Sequence, residues 1–198
     1  MTAHRAIGMF VAVLVMILIV STQVHAYVID FESLADSDPV TNQYNTLGLT
    51  FSNATALSAG VSLNELEFPP LSGTNVVFDD GGPMIIDFST LVTSAGGYFT
   101  YVSLLTISAF DSLNNLLGTI NSSASANHVS SGNSPNEFLQ IAFAVGISQL
   151  VITGDPAGTS FTLDDFTATP LVGVPEPSML LLLGGGLMGL AGLRRFRK

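Results

Sequence analysis

Between Tyr27 and Val174 the chain contains no lysine and no arginine. This stretch of 148 residues holds fourteen of the fifteen carboxylates and none of the five basic side chains, which gives it a formal charge of −14. No salt bridge can form inside it, so each acid must be solvated, hydrogen-bonded to backbone or bound to a metal. Nucleic acid is excluded as a partner, because no cation is present to meet a phosphate. The chain has no cysteine, which removes disulfides, thiolate metal sites and a thiol nucleophile. A fold of this stretch therefore rests on apolar burial and backbone pairing. Its length suits one domain and is too short for two comfortable ones.

Apolar residues in this body recur at period two. At its start Tyr27, Ile29 and Phe31 fall on one face and Val28, Asp30 and Glu32 on the other. Further strands are expected at Gly48–Phe51, Asn75–Phe78, Met84–Phe88, Tyr98–Leu104, Thr106–Phe110, Leu116–Ile120, Phe138–Phe143, Leu150–Ile152 and Ser160–Ala168. They are short, rich in Val, Ile, Phe, Tyr and Thr, and separated by turn chemistry at 79–83, 94–97, 113–115 and 154–158. About ten short strands without a helical stretch predict an all-β fold, an antiparallel β-sandwich. A jelly roll is the favoured topology; an immunoglobulin-like sandwich is the alternative, although its usual cysteine pair and buried Trp are absent. Residues 53–72, ending in Pro69 and Pro70, read as a long loop carrying a helical turn. Residues 121–136, rich in Ser, Asn and Gly, read as a mobile surface loop.

Candidate chemistry is sparse. Asp30 and Glu32 point the same way on the first strand, and Asp164 and Asp165 lie in the last. If those strands pair, the four acids come together, and Asp36 and Asp38 can add ligands from the following loop. Calcium takes six to eight hard oxygens, so this is the candidate metal site, set against solvated, outward-facing acids. Asp79 and Asp80 before Gly81 and Gly82 lack the alternating acids of an EF-hand loop, and read as a tight turn. His128, the lone histidine of the body, reads as a solvated loop residue. Nothing like a nucleophile elbow is present, and no Trp supplies a sugar platform, so no catalytic residue is expected. Tyr44, Tyr98 and Tyr101 can stack on sugar rings, but Tyr98 and Tyr101 fall on opposite faces of a regular strand, so at least one belongs to the core.

The two ends of the chain are apolar. Residues 1–26 have a short basic start with His4 and Arg5, an apolar core from Ala6 to Val20, and a small residue, Ala26, suited to cleavage; they read as a secretory signal peptide. The mature domain is then expected over residues 27–173. The tail, 174–198, combines Val174, Pro175, Glu176, Pro177 and Ser178 with an uncharged run over 178–193 and a basic end of Arg194, Arg195, Arg197 and Lys198. As a helix the run reaches roughly 24 Å, short of the roughly 30 Å hydrocarbon core. Thinning of the bilayer and snorkelling of the basic side chains can absorb that mismatch. The basic cluster places the C-terminus on the cytoplasmic side.

Motif, span and basic end, in that order, resemble the PEP-CTERM sorting signal of Gram-negative surface proteins. The resemblance implies processing near the Pro-Glu-Pro by an exosortase, a membrane-embedded cysteine peptidase. It further implies export, anchoring in the inner membrane before processing, and a final place at the cell surface or in the exopolysaccharide matrix of a biofilm. The body loosely resembles jelly-roll modules of secreted carbohydrate-binding proteins, several of which hold a structural Ca²⁺ where the terminal strands meet. The expectation is a non-enzymatic exported protein; the alternative is a calcium-stabilised carbohydrate-binding module.

Overall fold

The computed structural model describes residues 26–171; the signal peptide, the sorting residues 174–178, the expected transmembrane helix at 178–193 and the basic end lie outside the described residues. Nine strands form one antiparallel sheet: β1 (Tyr27–Ile29), β2 (Leu49–Ser52), β3 (Ala54–Ser58), β4 (Asn75–Asp79), β5 (Met84–Tyr101), β6 (Thr106–Phe110), β7 (Leu116–Asn121), β8 (Glu137–Thr153) and β9 (Phe161–Pro170). The order is β3-β4-β9-β5-β8-β6-β7, with β1 added to β9 and β2 to β5. Among the described residues helix is confined to single 3-10 turns at Asn45–Leu47 and Val129–Ser131. No helix among the described residues is long and apolar enough to cross a membrane.

The long strands β5 and β8 organise the sheet. They pair from Met84↔Ile152 to Phe99↔Glu137, with register shifts between Asp87 and Ser94. On its other edge β5 holds first β2, from Leu49↔Phe88 to Ser52↔Ile85, and then β9, from Val92↔Pro170 to Tyr101↔Phe161. The register shift changes which residues face inward. Met84, Ile86 and Phe88 are buried before it, and Ala95, Phe99 and Tyr101 after it. An extra residue in a strand exchanges its two faces, so both halves of β5 turn apolar side chains toward one core. That core joins Phe51 of β2, Phe88 of β5, Ile107 of β6 and Leu150 of β8 to Phe161 and Phe166 of β9. The Phe166 ring stacks on Phe88 at 6.4 Å and meets Phe51 edge-on at 6.1 Å. Full burial of each such side chain contributes about 2–3 kcal/mol.

Besides β1 ending at Ile29 and β5 at Tyr101, short of the expected Glu32 and Leu104, the structure departs from the expected elements in four places. Residues 94–97 are not a turn: they run through the middle of β5, which joins the two strands expected at 84–88 and 98–104. Gly96 and Gly97 are needed there for close approach. A Cβ on Gly96 would lie 2.1 Å from the Leu139 carbonyl oxygen, and one on Gly97 would lie 2.5 Å from Leu163 Cδ1. Likewise β8 joins the runs at 138–143 and 150–152. Within 53–72, Ala54–Ser58 is a strand paired with β4. The expected helical turn is made at Asn64–Phe68, with Phe68 N donating to Asn64 O at 2.9 Å, after a similar turn in which Ser62 N donates to Ser58 O at 3.2 Å.

The fourth departure is the segment 121–136, which is tied down rather than free. Buried Asn127 accepts from Tyr101 N at 2.7 Å and donates to Phe99 O at 2.9 Å. Asn136 donates to Pro69 O at 3.0 Å. Glu67 takes the start of the 3-10 turn, its carbonyl accepting from Val129 N at 3.1 Å and its carboxylate from Ser130 N at 2.9 Å and Ser130 Oγ.

Candidate functional site

The first and last strands pair, Tyr27↔Ala168, Val28↔Thr167 and Ile29↔Phe166. Burial along β1 and the turn after it alternates, with Ile29 and Phe31 buried and Val28, Asp30 and Glu32 exposed, but the strand itself ends at Ile29 and Phe31 takes φ 60. Three of the four acids expected to hold calcium meet one strap of chain, residues 71–75: Asp164 and Glu32 through its backbone N–H groups and Asp165 through the Ser72 hydroxyl. Asp164 Oδ2 accepts from Leu71 N at 2.7 Å and Ser72 N at 3.0 Å, and its Oδ1 accepts from Asp165 N at 2.7 Å. Asp165 accepts from Ser72 Oγ at 2.9 Å. Glu32 Oε1 accepts from Thr74 N at 2.9 Å and Asn75 N at 2.7 Å, and its Oε2 from Thr74 Oγ1 at 3.2 Å. Asp30 caps its own turn, accepting from Glu32 N at 3.2 Å.

These contacts occupy much of the acceptor capacity of the expected ligands. Carboxylate oxygens that already accept two N–H groups are aimed at donors, not at a shared cation. Among the described residues no three His, Asp or Glu side chains converge closely enough to hold a metal ion. Of the constellation read from the sequence, Asp164, Asp165 and Glu32 share the strap 71–75, while Asp30 stays with its own turn. Asp36 and Asp38 are also spent locally: Asp36 accepts from Ser58 N at 2.8 Å and from Ser62 Oγ, and Asp38 from Ala35 N at 3.0 Å. The hydrogen bonds from Ser62 and Ser58 hold the Asp36 carboxyl below its ordinary range.

Burial acts the other way on two acids. Asp164 is 1% exposed, and loss of solvent pushes its carboxyl up to about 6 against the opposing pull of the Ser72, Asp165 and Leu71 N–H groups. Asp79, fully buried at the end of β4, accepts from Ser160 N at 2.7 Å, Ser160 Oγ at 2.7 Å and Phe161 N at 2.9 Å. Its carboxyl is raised by the same desolvation. So Asp79 is more than part of a turn; it fixes the start of β9 to the end of β4. Its neighbour Asp80 takes a hydrogen bond from Thr55 Oγ1 at 2.9 Å.

Two clefts open beside the loops that follow β3 and β7. One, of about 290 Å³, is lined by Ser123, Asn127, Asn133, Ser134, Asn136 and Glu137 with Tyr101 at its base. Here Glu137 Oε1 accepts from Ser123 N at 3.0 Å, and Oε2 accepts from Tyr101 OH. Burial raises the Tyr101 phenol, and the Glu137 carboxylate adds to that rise. The other, of about 210 Å³, is more apolar, with Leu57, Leu63, Phe68, Phe78 and Phe161 among its walls. His128 is not a solvated loop residue. Its ring stacks on Phe68 at 6.3 Å and its Nδ1 is buried without a hydrogen-bond partner.

The three tyrosines separate. Tyr101 is fully buried, and Tyr44 packs edge-on against Phe31 and Phe51. Tyr98 alone stays at the surface side of β5, half-buried and paired across the strands with Phe138, ring centroids 5.0 Å apart. Sequence reading missed Phe138, Glu137, Asn127 and the role of Asp79. An acid closing the apolar run 75–78 was the one signal present for any of them.

Comparison with known proteins identifies the tail and leaves the body as a fold. The PEP-CTERM protein-sorting motif is matched over residues 173–198, so this chain carries the signal of an exosortase-sorted surface protein. The signal covers the tail alone. No curated protein matches the chain. A DUF4465 family protein from Bacteroides caccae ATCC 43185 is similar in structure, with a TM-score of 0.50 and 11% identity over 74% of this chain and 99% of that one. At that identity the likeness is one of fold. The K2 cleaved adhesin domain of Lys-gingipain aligns with a TM-score of 0.44 and 12% identity, over 73% of this chain and 97% of that one. The CBM22-1-GH10 modules of Clostridium thermocellum xylanase 10B, complexed with xylohexaose, align at 0.32 and 14%, over 68% and 28%.

Proposed function

We propose that the chain is a non-enzymatic exported protein, anchored by residues 178–193 in the inner membrane, processed there by an exosortase, and delivered to the cell surface or the exopolysaccharide matrix. The observation that carries this reading is the sorting motif at residues 173–198. A body whose acids are engaged in fastening loops supports a binding or structural role. The fold we propose for the body is the expected antiparallel sandwich, with a jelly roll favoured over an immunoglobulin-like topology; the contacts of the Phe88 and Phe51 rings with Phe166 support facing layers. The calcium-stabilised version of the reading draws no support from the donor geometry.

The test is to replace Pro175, Glu176 and Pro177 together by Ala in the host. The precursor should then accumulate in the inner membrane with its tail intact, and the amount in the surface and matrix fractions should fall at least tenfold. An unchanged distribution would refute the sorting reading.

A further inference from the structure

Antiparallel register sorts the side chains of β1, β9, β5 and β8 into two faces. Ile29, Phe166, Ala168, Ala95, Phe99, Leu139 and Ile141 are buried on one. On the other, Val28, Thr167, Gly96 and Gln140 make one row across the four strands, and Thr169, Ser94 and Ala142 make the next. Tyr98 and Phe138 close the face on the other side of the Gly96 row. Val28, Phe138, Gln140 and Ala142 are exposed, Phe138 at 46%. Asp164 is in register with Tyr98, yet it is covered by Leu71 and Ser72. None of the other residues in these rows is charged, in a body of formal charge −14.

Resting on the reading of a surface or matrix protein, we infer that this face is a platform for an extended, neutral polysaccharide. The Tyr98–Phe138 pair supplies an apolar surface suited to the C–H face of a sugar ring. The Gln140 amide and the Thr167 hydroxyl lie one row away, within reach of the hydroxyls of a chain running across the strands. Gly96 keeps the platform flat: a Cβ there would strike the Leu139 carbonyl and the Gln140 backbone, 2.1 and 2.6 Å away. Charge chooses the ligand class. A polyanion approaching a body of −14 without a cation is repelled, whereas a neutral polyhydroxyl chain meets no such barrier.

The mature protein, purified from its host, is run in native gels containing hydroxyethyl cellulose, galactomannan, dextran or alginate. Retardation is expected from at least one of the three neutral polymers and none from alginate. Tyr98→Ala combined with Phe138→Ala should weaken that retardation at least tenfold while the melting temperature stays within a few degrees. Tyr98→Phe should retain it, because the ring and not the hydroxyl does the stacking. Passage of the wild type unretarded through all three neutral gels overturns the inference, as does equal retardation of the double variant. A double variant that sediments as a smaller species than wild type also overturns it, by assigning the face to self-association. None of these variants touches residues 173–198, so sorting to the surface, followed by fractionation, stands or falls separately.

Discussion

Asp79 and Asp164 show what an acid does in a domain without cations: each replaces the missing Lys or Arg with backbone N–H groups. For Asp79 the partners are two N–H groups and the Ser160 hydroxyl, all buried. Asp79→Ala leaves them without an acceptor, and a buried unmade hydrogen bond costs about 1–3 kcal/mol. A loss of about 3 kcal/mol in urea unfolding is expected, with Asp79→Asn milder because its amide keeps one acceptor. Equal stability of wild type and Asp79→Ala would remove the role assigned to this acid. Asp164 makes a different prediction. Its carboxyl, at about 6 in the fold, stands above the ordinary 3.8, so the folded chain holds this proton more tightly than the unfolded one. The stability it contributes is present in full below about 3.8 and is lost as pH rises through about 6. Wild type should therefore gain in melting temperature on acidification from pH 7 toward 4, and Asp164→Asn should lack that share of the gain. Parallel curves for the two proteins would show that Asp164 does not titrate in this window.

At the level of elements, the sequence is legible where alternation is uninterrupted and misleading where glycine has two meanings. The limits of β2, β4, β6 and β7 follow to within a residue from short β-branched and aromatic runs, and the alternation of exposed and buried residues at Val28 and Ile29 follows from period two. Residues 94–97 look like a turn because Gly-Gly commonly permits positive φ. Here the same residues remove side chains so that β8 and β9 can close on β5, a property of neighbours far away in sequence. The segment 121–136 misleads for a related reason, since nothing local announces that Asn127 and Asn136 reach Phe99, Tyr101 and Pro69. The acids misled in a third way: Asp164 and Asp165 do lie in the last strand, but β1 ends at Ile29, before Asp30 and Glu32, and a strap at 71–75 that no sequence spacing reveals donates to three of the four. The distinction between the two kinds of glycine is testable. Gly97→Ala puts a methyl 2.5 Å from Leu163 Cδ1 and 3.1 Å from the Asp164 carbonyl, and overpacking of that kind costs about 3 kcal/mol. Gly132→Ala sits at φ 81 with nothing within 4 Å, so only the left-handed backbone is penalised, by about 1 kcal/mol. If both variants melt alike, close approach is not the reason for glycine in β5.

For the molecule as a whole, the separation of charge makes processing readable by a protease that needs cations. Arg5 lies in the expected signal peptide, and Arg194, Arg195, Arg197 and Lys198 lie beyond the Pro-Glu-Pro. A chain cut after the signal peptide and again near residues 175–177 keeps no Lys or Arg, and trypsin then has no bond to cleave even when the fold is fully denatured. Protein isolated from the surface should show the same intact mass before and after exhaustive trypsin treatment, while a protease cutting at Asp and Glu fragments it freely. Precursor from cells lacking the exosortase should instead lose its last residues to trypsin at Arg194, Arg195 and Arg197. Surface protein that sheds those residues would show that the tail survives sorting, and the proposed order of export, anchoring and cleavage would fail at its final step. The body's −14 would then never have been separated from the four positive charges that end the chain.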